Sequence, residues 1–217
     1  MTSLIHGKAK KTRKLLAELD PTVFGQPVRR DILHLCVVHY LDSLRQGSAN
    51  TKTRGEVRGS GIKIRPQKGL GMARLGDAQS PMLRGGGVAF GPKPRDFSTK
   101  LPRKVIQMGV RVALSMRVKE HALRIVDSLE WPGVKTGPMA RRFKELGWEK
   151  TLLVTGRSTI PIGLARTTSN LFYVDTIAAK DITVYDLVKW PQVALDTEAV
   201  EWFERTLGKN VPTGSVA

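Results

Sequence analysis

Leu123-Arg124-Ile125-Val126, Leu152-Leu153-Val154 and Leu171-Phe172-Tyr173-Val174 are three short apolar runs, and their spacing decides the fold. Each is too brief for a helix. They show little polar alternation, as strands covered on both faces do. Between them, Pro138 to Leu146 and Ile162 to Thr168 read as helical pieces. Ile182 to Tyr185 is expected to add a fourth strand, and Thr197 to cap a last helix running to Leu207. Buried strands alternating with helices predict an α/β fold. Its form is a three-layer sandwich, a mainly parallel sheet with helices on both faces.

Upstream of these runs, Ile32, Leu33, Cys36, Val37, Tyr40, Leu41 and Leu44 recur at three- and four-residue steps and predict an amphipathic helix. Pro102 suits the first turn of a second helix carrying Val105, Met108, Val112 and Met116. Residues 1–44 and 105–217 therefore read as one globular domain, long enough to enclose a core. Residues 1–20 read as an RNA-contacting arm or a transit-peptide remnant, since Met1 to Leu16 holds five Lys/Arg and no acid.

Residues 45–104 differ from both flanks. The whole chain carries 36 Lys+Arg against 19 Asp+Glu, a formal +17. About two-thirds of that excess falls between Arg45 and Lys104, with 14 basic and 3 acidic residues. The same 60 residues hold 11 of the 21 glycines, and Asn50 to Arg84 sustains neither a helical nor an alternating period. This predicts a long extended loop; from Gln46 to Gly69 the chain could span at most ~75 Å at ~3.3 Å per residue. Cations interleaved with glycine suit close contact with a polyanion, because glycine admits the backbone while Arg and Lys neutralise phosphate. Aromatics make up only 6%, so shape and phosphate reading fits better than base stacking. No apolar run approaches the ~20 residues of a membrane span, so no membrane partner is expected.

Enzymatic motifs are missing from the sequence. Gly69-Leu70-Gly71 lacks the third glycine of a dinucleotide loop and follows no predicted strand, and there is neither a P-loop nor a nucleophile elbow. His34, Cys36 and His39 do not converge on one helix face, and core or surface roles account for them better than metal ligation. Asp175 and Asp186 lie near predicted strand ends without a catalytic partner, so capping or turn roles are expected. Cys36 is the lone cysteine and points to a reducing compartment. Charge alone would also suit a free RNA-binding regulator or RNA chaperone.

The middle segment resembles the large-subunit ribosomal protein four family, the universal protein of that number. Arg45-Gln46-Gly47 and Lys52-Thr53-Arg54-Gly55-Glu56-Val57 are similar to the outgoing leg of the family's loop. Gln67-Lys68-Gly69, Gly71 and Ala73-Arg74 are similar to its tip. Ser80-Pro81, Arg84-Gly85-Gly86-Gly87-Val88, Phe90-Gly91-Pro92-Lys93-Pro94-Arg95-Asp96 and then Leu101-Pro102 and Lys104 resemble the return. A looser likeness extends to Val184-Tyr185-Asp186-Leu187.

The resemblance implies a non-enzymatic constituent of the large ribosomal subunit whose loop binds ribosomal RNA and lines the constriction of the nascent-peptide exit tunnel. Large-subunit protein twenty-two and the nascent polypeptide would be its neighbours there. It implies RNA contact by Arg45, Lys52, Arg54, Arg58, Lys63, Arg74, Arg84, Lys93, Arg95, Lys100, Arg103 and Lys104. Arg65, Gln67, Lys68, Gly69 and Gly71 would form the tunnel tip. No cofactor is expected; structural Mg²⁺ would be held by the RNA. Where the family's tip usually has Trp-Arg, this chain has Arg65-Pro66, and the usual Thr and Arg beside the tip glycines are Leu70 and Met72. That divergence, with an insertion-like Glu130 to Gly137, points to a mitochondrial ribosome; a bacterial cytoplasm or a chloroplast is the alternative.

Overall fold

The computed structural model describes residues 17–208. The chain divides into two compact units: one from Lys100 onward together with the chain up to Leu41, the other Asp42–Thr99.

The first unit is an α/β sandwich. Its helices are α1 (Pro21–Phe24), α2 (Arg30–Ser43, which ends in the second unit), α3 (Arg103–Lys119), α4 (Thr136–Leu146), α5 (Ile162–Thr168), α6 (Val184–Lys189) and α7 (Thr197–Leu207). Its strands are β1 (Leu123–Val126), β2 (Thr151–Thr155), β3 (Val174–Ala178) and β4 (Gln192–Asp196), all parallel in the order β1-β4-β2-β3. The central strands are apolar on both faces because both faces are covered. Leu152, Val154, Val193 and Leu195 join one core with Val112, Ala113 and Leu114 of α3, Leu187 of α6 and Phe203 of α7. Leu153, Ala194 and Val126 point the other way, into a second core with Met139 and Phe143 of α4 and Leu164 of α5. Each fully buried Leu or Phe stabilises the fold by roughly 1.5–3 kcal/mol.

The order of strands follows from the handedness of crossovers. The chain moves outward from β1 through β2 to β3 by way of α4 and α5, on one face. It then reverses, returning through α6 on the opposite face to place β4 between β1 and β2. Right-handed connections running in opposite directions must lie on opposite faces of a sheet.

Three expectations are corrected. Ile182 to Tyr185 is not a strand. The Thr183 hydroxyl oxygen accepts the Asp186 amide at 3.2 Å and the Asp186 carboxylate accepts the Thr183 amide at 3.1 Å, a capping box that opens α6. The fourth strand is Gln192–Asp196 instead. The third strand begins at Val174, because the Leu171 amide closes a turn on the Thr168 carbonyl at 2.8 Å. The cap of α7 is Asp196, whose carboxylate accepts the Ala199 amide at 2.6 Å; Thr197 is the first helical residue and its hydroxyl donates to the Asp127 carbonyl.

Candidate nucleic-acid interface

The second unit, Asp42–Thr99, has no helix beyond the last turn of α2 and no strand longer than a single antiparallel bridge, Lys63 to Asp77. With so little regular structure, its backbone is ordered by contacts between an outgoing and a returning leg. The Arg95 amide donates to the Gly47 carbonyl at 3.2 Å, Thr51 to Pro92 at 3.1 Å, and Val88 to Lys52 at 2.9 Å. Farther along, Ile64 donates to Gly76 at 3.0 Å and the Gln79 side-chain amide donates to the Val57 carbonyl. The legs come close enough that a Cβ on Gly87 would strike the backbone at Thr53 and Arg54. Gly47, at φ +62°, faces the Arg95 carbonyl in the same way.

Side chains fasten the legs too. The Arg45 and Arg95 guanidinium groups both lie over the Phe97 ring, at 3.7 and 4.3 Å from its centroid. Lys93 Nζ reaches Glu56 at 2.5 Å and the Thr51 carbonyl at 2.9 Å. The Lys93 ammonium, helped by the Thr53 amide, holds the Glu56 carboxyl down to about 2. Asp77, nearly buried, lies 3.5 Å from Arg54. Asp42 pairs with Arg45 at 3.7 Å. Asp96 accepts the Ser98 hydroxyl and amide, which lowers its pKa.

The consequence is electrostatic. All four carboxylates of this unit are engaged within it, whereas Lys52, Arg58, Lys63, Arg65, Lys68, Arg74, Arg84 and Arg95 have no ion pair among the described residues. All but the half-buried Arg65 are exposed. A surface whose carboxylates are each held by a partner within the unit, while most of its cations stay exposed and unpaired, is suited to phosphate.

The expected tip residues fall into two groups. Gln67, Lys68, Gly69 and Gly71 are exposed, and Gln67 accepts the Lys63 ammonium at 2.5 Å. Arg65 instead folds back, donating to the Ala73 carbonyl at 2.5 Å and approaching Met72 Sδ at 3.2 Å. Ile62, Leu70 and Met72 are more than half exposed.

Lys100, Arg103 and Lys104 belong to the first unit, where all three are exposed. Arg103 and Lys104 open α3, whose N-cap, Pro102, offers no capping side chain. Two cations beside unsatisfied amides and the positive end of a helix dipole repel one another unless an anion joins them. Arg117, by contrast, is buried and donates to the Leu187 and Val188 carbonyls at 2.9 Å each, so its charge serves the fold.

Sequence reasoning missed the residues that organise this surface: Phe97, Asp77 and Gln79. Their signal was present as an aromatic beside Arg95 and as polar residues that end up buried in a glycine-rich run. His34, Cys36 and His39 do not come together as a site; Cys36 is buried, with Sγ 3.9 Å from the Val105 carbonyl, and His34 is exposed.

The sequence model of the ribosomal protein L4/L1 family matches residues 17–206. The chain is 42% identical over 191 residues to the large ribosomal subunit protein uL4 of Desulforudis audaxviator, covering 88% of this chain and 91% of the relative. The protein of the same name from Maridesulfovibrio salexigens is 39% identical over 198 residues, 90% of this chain and 95% of its own length. That of Thermus thermophilus is 38% identical over 205 residues, with 93% and 94% covered. The match spans both the sandwich and the glycine-rich unit, and the chain belongs to the ribosomal protein L4/L1 family.

Proposed function

We propose that this chain, as a structural and non-enzymatic protein of the large ribosomal subunit, binds large-subunit RNA through residues 45–104 and helps form the constriction of the nascent-peptide exit tunnel. The observation that carries the reading is the division of charge in that segment, with carboxylates tied internally and cations facing outward. Lys52, Arg58, Lys63, Arg74, Arg84 and Arg95 are proposed to neutralise phosphates directly. Arg45, Arg54 and Lys93 do so while also holding the legs together. Lys100, Arg103 and Lys104 add phosphate contacts at the start of α3. Residues 17–44 and 105–208 are proposed to form the supporting globular domain; the arm expected at residues 1–20 lies mostly outside the described residues.

At the tip, Arg65, Gln67, Lys68, Gly69 and Gly71 are proposed to face the nascent polypeptide and large-subunit protein twenty-two. The departures at Arg65, Pro66, Leu70 and Met72 support a mitochondrial ribosome as the location, with a bacterial cytoplasm or chloroplast as the alternative.

Binding to structured large-subunit RNA fragments is expected to exceed binding to arbitrary RNA of equal length. Equal affinity would favour a free RNA-binding regulator. A tagged copy expressed in its own cells is expected to sediment with the large subunit and, after organelle fractionation, with the mitochondrial one. Absence from the large-subunit peak would overturn the ribosomal reading.

A further inference from the structure

An apolar recess of about 520 Å³ lies beside α4, at the amino ends of β2 and the edge strand β3. Ala140 and the aliphatic stems of Arg141 and Lys144 form one wall, and Trp148, Phe172 and Tyr173 form the rest. Trp148 is 3% exposed and stacks on Phe143 at 5.8 Å, so the floor is packed against the core. Phe172 is 92% exposed and meets Tyr173 edge-on at 5.3 Å, standing as a wall with solvent behind it.

We propose that this recess is a docking site for a peptide segment of an acidic protein, one large apolar side chain filling the recess and Asp or Glu residues beside it pairing with the rim. The rim is cationic. Arg141, Lys144 and Lys150 border the opening with a single carboxylate, Glu149, and none of the four has an ion pair among the described residues. Aromatic walls with a charged border form the usual anatomy of an anchor pocket.

The chemistry selects among occupants. A nucleobase would bring polar edges that these carbon-rich walls leave unpaired. A second copy of this chain, with its formal charge of +17, would be repelled by a cationic rim. A small ligand of an open parallel sheet would sit at the carboxyl ends of the strands, and this recess is at the opposite end. An acidic segment with an apolar anchor satisfies both floor and rim.

Selection of random twelve-residue peptides on the full-length chain tests this. The enriched peptides are expected to carry a Leu, Phe or Trp with Asp or Glu within two positions. Synthetic copies are expected to bind Phe172→Ser and Lys144→Glu variants at least tenfold more weakly, and Lys180→Glu, the same charge change elsewhere, equally well. Because Phe172 and Lys144 are exposed, unchanged circular dichroism will show that the variants remain folded. Failure to enrich peptides that depend on Phe172, or enrichment of neutral or basic flanks, would overturn the proposal. Binding of a single-stranded RNA oligonucleotide that is lost in Phe172→Ser would make the recess a base-binding site instead, and would also overturn it.

Discussion

Glu56 is a carboxylate fixed between the Lys93 ammonium and the Thr53 amide, and its acidity reports whether the two legs are fastened. Its folded value of about 2 lies below the ordinary 4.5, so the interaction is present in full above that ordinary value and is lost as pH falls through about 2. A carboxyl chemical-shift titration of the free protein is expected to show a midpoint near 2; a midpoint near 4.5 would mean that Lys93 does not hold Glu56. Arg58 and Arg84 are exposed and have no ion pair among the described residues, so Arg→Ala at either position is expected to lower the salt dependence of RNA binding by roughly one phosphate. An unchanged slope at both would remove them from the interface. Arg54→Ala is expected to do less to the slope, because Arg54 already pairs with Asp77, and to loosen the legs by leaving Asp77 without its cation. This difference among three arginines was not legible in sequence. Identical side chains in one basic run diverge only when the fold brings a carboxylate 23 residues away within 3.5 Å of one of them.

Among the elements, the carboxyl end of β4 gathers three hydrogen bonds on one carboxylate. Asp196 accepts the Thr155 hydroxyl at 2.7 Å, the Gly156 amide at 2.9 Å and the Ala199 amide at 2.6 Å, joining two strands to the first turn of α7. Asp196→Ala is expected to destabilise the protein by about 3 kcal/mol, from a lost helix cap and from donors stranded at a buried site. Chemical denaturation would measure it, and a loss below about 1 kcal/mol would show that water replaces the carboxylate. Asp175 has neither the cap nor the turn role expected of it. On the edge strand β3 it accepts the amide of its neighbour Thr176 at 2.8 Å, and with its charge this blunts an edge that could pair with another chain. Asp186, in contrast, does cap a helix. Ile162–Thr168 was readable from sequence because its apolar spacing and flanking proline act locally. β4 was not, because Val193, Ala194 and Leu195 form a run no more apolar than its neighbours, and only the return crossover makes them the strand between β1 and β2.

At the scale of the whole molecule, neither hydrophobic core includes a residue between 42 and 99. Deleting Gly61 to Gly76 is therefore expected to leave the thermal unfolding midpoint of the sandwich nearly unchanged, read by far-ultraviolet circular dichroism. A large drop would mean that the tip contributes to the stability of the first unit. The α/β class was legible because parallel strands covered on both faces must be apolar throughout, a property each short run carries by itself. The internal order of the glycine-rich unit was not, since its bonds join residues such as Gly47 and Arg95 that share no periodicity. Those leg-to-leg bonds are made between uncharged amides and carbonyls, which dissolved ions scarcely weaken, whereas the outward cations act by a force that ions screen. Concentrated salt should thus weaken RNA binding and loosen the Lys93–Glu56 and Arg54–Asp77 pairs while leaving the backbone bonds between the legs in place, so that dilution restores a competent binder.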